Sequence, residues 1–67
     1  MPIQKITNYL TGAIIIEGEA PTVKDLVELA VKGHVSLAYA DLANAKLYEA
    51  NLIKADLFRA DLAHANL

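Results

Sequence analysis

The second half of the chain places a leucine at every fifth position, from Leu37 to Leu67. The residue two positions before each leucine is an alanine, except at the start, where it is Val35. On an α-helix, five residues advance by about 500°, so the leucines would point in all directions and form no apolar stripe. On a strand, an odd spacing would place successive leucines on opposite faces. An Ala/Leu-rich helix is the alternative, because both residues have good helix propensity.

A chain that turns by about 90° after every five residues would bring all the leucines to one side, as in solenoids of short repeats. Four such repeats close one coil, and successive coils would stack about 4.8 Å apart through parallel backbone pairing. The residue two positions before each leucine would also point inward, where only small side chains fit. The predicted interior columns are Leu37, Leu42, Leu47, Leu52, Leu57, Leu62 and Leu67, with Val35, Ala40, Ala45, Ala50, Ala55, Ala60 and Ala65.

This register predicts which residues are stacked, because residues twenty apart lie above one another. Residues 35–54 form one coil, and residues 55–67 form most of a second. Leu57 should therefore lie on Leu37, and Asp61 on Asp41. Arg59 should lie over Tyr39, where a cation–π contact is expected.

Residues 1–34 have a different pattern and predict a cap on the first coil, since the end of a solenoid exposes unpaired backbone. Two β-like runs, "IQKITNYL" and "AIIIEG", are separated by Thr11-Gly12, which predicts a β-hairpin. A helix of about residues 22–32 follows, with Thr22 as its N-cap and Asp25 returning a capping bond. Gly33 should end the helix. The predicted domains are a cap at 1–34 and a repeat domain at 35–67.

The repeats "ADLAN", "ANLIK", "ADLFR" and "ADLAH" resemble the pentapeptide-repeat family. The resemblance covers residues 35–67 and departs from the usual motif at Ser36 and Lys46. The lead-in with "TG" and "EGEA" resembles the hairpin-helix cap of some short family members. The resemblance implies a mainly β fold, a right-handed quadrilateral β-solenoid of just under two coils, capped by an N-terminal β-hairpin and one α-helix.

Composition and charge narrow the classes of function. The chain has 67 residues, no cysteine and a formal net charge of −2, so disulfides are excluded and no basic patch predicts direct nucleic-acid binding. The apolar run at residues 13–16 is too short to cross a bilayer, and the first residues have no signal-peptide pattern. We therefore expect no membrane association. The location stays open, with cytoplasmic and particle-associated both compatible.

No residue pattern in the chain predicts catalysis, a cofactor or a metal. His34 and Ser36 are two residues apart but have no third group to orient them. His34 and His64 are too few for a zinc site in a chain without cysteine. A stacked pair of Asp41 and Asp61 is better explained as a solvated face that bonds the local backbone. We expect a protein that is not an enzyme.

The expected function is structural, a module that self-associates or docks on a larger protein assembly through its solenoid face and an open C-terminal end. Aromatic anchors commonly dominate interfaces. The candidate interface consists of Tyr39, Tyr48, Ile53, Phe58, Leu62 and Leu67. A homo-oligomer is expected because the last repeat, "AHANL", would leave its coil uncovered, unless the chain belongs to a longer solenoid. One alternative is a small decoration or cement protein of a viral or other particle. Another, implied by the family resemblance, is a DNA mimic that inhibits a type II topoisomerase.

Overall fold

The computed structural model describes residues 2–67. Strand β1 (Ile3–Thr7) and strand β2 (Ile14–Glu19) come first, followed by helix α1 (Val23–Lys32). Residues 33–67 consist of regularly spaced turns and isolated β-bridges. Within residues 2–67, no helix has the length and apolar character needed to cross a membrane.

Strands β1 and β2 form the two-stranded antiparallel hairpin that the sequence predicts, with Ile3 opposite Glu19. The side chain of Asn8 shapes the connection, because its Oδ1 accepts hydrogen bonds from the amides of Leu10 at 2.7 Å and Thr11 at 3.2 Å. Gly12 adopts a φ of 79°, a conformation that favours glycine. Ile6, in β1, is buried in the core.

Helix α1 begins one residue after the predicted start because Thr22 is its N-cap. The Thr22 Oγ1 accepts a hydrogen bond from the Asp25 amide and donates one to the Asp25 carboxylate at 2.8 Å. Leu26, Val27 and Ala30 form the buried face of the helix. The helix ends at Gly33, as predicted, but Gly33 has a φ of −87° and the left-handed residue is His34, with a φ of 59°.

The repeat region turns once every five residues. The amide of Ala40 donates to the carbonyl of Leu37 at 3.0 Å, and the same bond recurs after each later leucine up to Leu62. The second residue after each of these leucines has a positive φ, between 54° and 65°. A positive φ at only the third residue of the turn is characteristic of a type II turn. The chain therefore changes direction at each repeat, and no continuous helix runs through Lys46.

Residues twenty apart pair with one another, as the register predicts. Asp41 forms a parallel bridge with Asp61, and Lys46 forms one with Asn66. The Leu42 amide donates to Asp61 O at 2.9 Å, and the Asp61 amide donates to Ala40 O at 2.9 Å. These bonds run between successive layers, so each layer supplies partners for the backbone groups of its neighbour.

Burial of the leucine column falls along the chain. Leu37, Leu42 and Leu47 are buried. Three further leucines and all the column's small residues except the buried Ala40 are partly exposed: Leu52, Leu57, Leu62, Val35, Ala45, Ala50, Ala55, Ala60 and Ala65. Leu67 stays a predicted member of the column and is 64% exposed. The reason is that no residue of 2–67 packs on the outer side of the second coil.

The hairpin and the helix lie on the other side of the first coil. The Asp41 amide donates to Thr7 O at 2.8 Å, and the Tyr9 amide donates to Tyr39 O at 3.1 Å. Ile6, Leu26 and Leu37 belong to one hydrophobic cluster. Residues 2–34 therefore share a single core with the repeats.

Three alanine substitutions should lower the free energy of unfolding in a graded order. Leu37→Ala should cost about 2–5 kcal/mol, because it leaves a cavity in the core. Leu57→Ala should cost less, since Leu57 is partly exposed. Leu67→Ala should change stability by no more than about 0.5 kcal/mol. Urea denaturation followed by circular dichroism measures the free energy of unfolding of all three variants. An equal loss of stability in Leu37→Ala and Leu67→Ala would contradict the decrease in burial along the leucine column.

Candidate functional site

Each repeat directs three side chains outward: the residue before the leucine and the two residues after it. The turn sets this arrangement, because the two residues after the leucine occupy the corner. These positions together form the outer surface of the repeats. Their chemistry decides what the repeats can bind.

The residue before the leucine serves the local backbone. Oδ1 of Asp41, Asp56 and Asp61 accepts the amide two residues ahead, at 3.3, 3.1 and 3.0 Å. Asn51 makes the same bond to the Ile53 amide at 3.2 Å. This is the structural use that the sequence predicts for short polar residues at a corner. The Asp41–Asp61 column is therefore explained by turn formation.

The second residue after the leucine has a left-handed backbone, a feature that was not predicted from the sequence. The six residues at the corners are Tyr39, Asn44, Glu49, Lys54, Arg59 and His64. Among them, asparagine and histidine are the residue types enriched in this conformation. In the other residues it costs roughly 1 kcal/mol each, which the hydrogen bonds of the corner and the stacked layers must offset.

Glu49 offers a direct test of this backbone geometry, because its side chain is exposed and its φ is 63°. Glu49→Val should lower the free energy of unfolding by about 1–2 kcal/mol, since a β-branched residue is disfavoured at positive φ. Glu49→Asn is the matched control and should leave stability unchanged or slightly higher. Equal effects of the two substitutions in urea denaturation would contradict the left-handed corner.

The first residue after the leucine carries most of the exposed apolar surface of the repeats. Tyr48 is 63% exposed, Ile53 is 73% exposed and Phe58 is 58% exposed. Of the other candidate interface residues, Leu67 is exposed, while Tyr39 and Leu62 are partly buried. Tyr48, Ile53 and Phe58 lie at three successive corners. The candidates therefore do not form one continuous patch on a single face.

An aromatic column joins the hairpin to both coils. Tyr39 lies between Tyr9, with ring centroids 6.1 Å apart, and Phe58, with centroids 5.9 Å apart in an edge-on arrangement. The Tyr9 hydroxyl donates to Arg59 O at 2.7 Å. The predicted contact of Arg59 with Tyr39 is wrong, since the guanidinium lies 5.5 Å from the Phe58 ring centroid instead. Phe58, one residue before Arg59, takes the place beside Tyr39 and leaves the cation on its outer face.

Helix α1 contacts the repeats through a side chain. Glu28 Oε2 accepts the Asn51 amide at 2.8 Å. The equivalent amides of Asp61 and Asn66 donate to backbone carbonyls of the layer below. A helix has no free carbonyl for this purpose along its middle, because its own amides occupy them. A carboxylate on the helix therefore replaces the missing acceptor.

Replacing Glu28 should release the Asn51 amide. Glu28→Ala should speed hydrogen exchange at Asn51 by about tenfold, the change that follows from losing a hydrogen bond with a charged acceptor. Glu28→Gln keeps an acceptor oxygen and should retain most of the protection. Exchange measured by NMR on the whole chain tests this, with the Asp61 amide as the internal reference. Unchanged exchange in Glu28→Ala would refute the role of this carboxylate.

The residues that could take part in catalysis or metal binding have structural partners or are not grouped into a site. The Ser36 hydroxyl donates to Asp56 Oδ2 at 2.9 Å and accepts the Ala38 amide at 3.2 Å. Across residues 2–67, no three His, Cys, Asp or Glu side chains are grouped as a metal ion would require. The outer surface thus presents aromatic, aliphatic and isolated charged groups.

The comparisons with known proteins agree with this geometry. The family model for pentapeptide repeats matches residues 34–67 in eight copies. The chain belongs to the pentapeptide-repeat family. Searches of curated proteins and of solved structures found no match. Pentapeptide repeats imply a β-solenoid, and membership of the family suggests a protein-interaction module.

Proposed function

We propose that this pentapeptide-repeat protein is a non-enzymatic interaction module that pairs with a second copy of itself through the outer edge of its repeats. We also propose that its repeats wind as a right-handed quadrilateral β-solenoid. The twenty-residue offset of the bridges, divided by one turn every five residues, supports four corners per coil. Parallel connections are overwhelmingly right-handed, which favours that hand.

The interaction proposal rests on which leucine amides have a backbone hydrogen-bond acceptor. In the first coil, the amides of Leu37, Leu42 and Leu47 each donate to a carbonyl of the second coil. Within residues 2–67, the amides of Leu52, Leu57 and Leu62 have no such acceptor, and their side chains are only partly buried. We define the outer edge as residues 52–67. Unpaired strand edges of this kind are templates for pairing with another chain.

Apolar side chains on or beside this edge strengthen the proposal. Leu67 and Phe58 are exposed on it, and Tyr48 lies beside it. A few residues, often aromatic, supply most of the free energy of binding in protein interfaces. Pairing of two identical edges about a two-fold axis would cover both copies at once. A larger protein assembly with a complementary edge would be bound in the same way.

Light scattering coupled to size exclusion tests self-association. Between about 10 and 500 µM, the mass should rise from 7.2 kDa towards twice that value, with a Kd in the micromolar range. Leu67→Lys should weaken the dimer by about tenfold or more, since it places a charge in the apolar contact.

Leu10→Lys is the matched control, because Leu10 is similarly exposed, at 66%, but lies in the hairpin turn. It should dimerise like the unmodified chain. A mass of 7.2 kDa at every concentration, or equal weakening by both substitutions, would overturn the proposal.

A further inference from the structure

A cleft of about 630 Å³ opens between helix α1 and the repeat formed by residues 50–54. Its volume is in the range of about 300–1,000 Å³ that is typical of ligand sites. It lies on the cap side of the repeat, whereas the free leucine amides of the outer edge point to the opposite side; Ile53 and Lys54 belong to both. It is lined by Glu28, Val31, Lys32, His34, Asn51, Ile53 and Lys54.

The repeat register indicates which backbone groups face this cleft. In the second coil, the carbonyls of the residues directly before and after a leucine accept amides from the layer on the cap side. Asp56 O accepts from Leu37 at 2.9 Å, and Phe58 O accepts from Tyr39 at 2.8 Å. Asn51 and Ile53 hold the same positions around Leu52. Their carbonyls therefore point towards the helix.

The helix cannot supply the amides that these carbonyls need. Lys32, nineteen residues before Asn51, belongs to α1, and the His34 amide donates to Val31 O at 3.1 Å. Within residues 2–67, no amide donates to Asn51 O or Ile53 O. Two carbonyls two residues apart are the spacing at which an extended chain presents amides along one side.

The neighbouring repeat, residues 45–49, does not offer the same site. A cleft of about 500 Å³ there is lined by Asn44, Ala45 and Lys46, but not by Tyr48. Only one of the two equivalent carbonyl positions, that of Lys46, is in this second cleft. Of the two clefts, the larger one is therefore the one lined by both carbonyl positions of its repeat.

The charges of the larger cleft favour an acidic ligand. Lys32 and Lys54 are exposed on its rim, and His34 lies beside them. Glu28 is the one carboxylate in the lining, and it already accepts the Asn51 amide. Two lysines against one glutamate leave a formal charge of +1, with Val31 and Ile53 as apolar surface between the charges.

We infer that this cleft binds an extended acidic peptide segment of another protein. The peptide's amides bond to the carbonyls of Asn51 and Ile53, in the manner of an added β-strand. Its carboxylates reach Lys32 and Lys54, and an aliphatic side chain packs on Val31. This binding does not depend on self-association through the outer edge.

Titration of the ¹⁵N-labelled full chain with the capped peptide Glu-Val-Glu-Val-Glu, followed by NMR, tests the inference. Amide signals of residues 31–34 and 51–54 should shift, with a Kd of roughly 0.1–1 mM, while those of residues 61–66 stay unchanged. A peptide with lysine in place of glutamate should bind about tenfold more weakly. A peptide with N-methylated backbone amides should not bind, because it lacks the donors.

Two variants distinguish the effect of the cleft lysines on peptide binding from a general effect of removing a lysine. The double substitution Lys32→Gln with Lys54→Gln should weaken binding of the glutamate peptide by about fivefold to tenfold, as expected for the loss of two exposed ion pairs. Lys46→Gln is the control, since Lys46 is exposed outside this cleft, and it should bind like the unmodified chain. Equal binding of the N-methylated peptide, shifts centred on residues 61–66, or no shift at about 5 mM peptide would overturn the inference.

Discussion

The backbone hydrogen bonds between residues about twenty apart are the interaction on which the repeat region depends. They link the first coil to the second at Leu37, Leu42 and Leu47. They can form only if the chain turns at every fifth residue, and each turn requires a left-handed corner residue. The corners are locally unfavourable for most of the side chains they carry. Layer pairing and leucine burial therefore have to stabilise a backbone that a single repeat would not adopt.

The hairpin and the helix cover the first coil in two different ways. The hairpin has extended backbone, so Thr7 and Tyr9 bond directly to backbone groups of the coil. The helix has its own amides and carbonyls paired internally, so it offers Glu28 to the Asn51 amide. The hairpin continues the pattern of the repeats, whereas the helix interrupts it and leaves a cleft. The difference follows from the hydrogen bonding of helix and strand.

The outer surface separates into groups that serve the backbone and groups that are available to a partner. The polar residues before the leucines accept amides of their own turns, which accounts for the aligned Asp41 and Asp61. Tyr39 is held between Tyr9 and Phe58. Tyr48, Ile53 and Leu67 have large exposed apolar surfaces. Interaction with another protein is accordingly better supported by the apolar groups than by the acidic column.

The sequence by itself determined the five-residue period, the twenty-residue register, the hairpin and the helix with its Thr22 cap. Periodic leucines and capping residues are local signals, so each could be recognised without knowing its neighbours. The tertiary structure alone decided the contact of Arg59 with Phe58 and the bond from Glu28 to Asn51. It also decided the left-handed corners, for which only Asn44 and His64 are of residue types that favour a positive φ. These features depend on which layer lies above or below a residue, and that depends on residues far away in the chain.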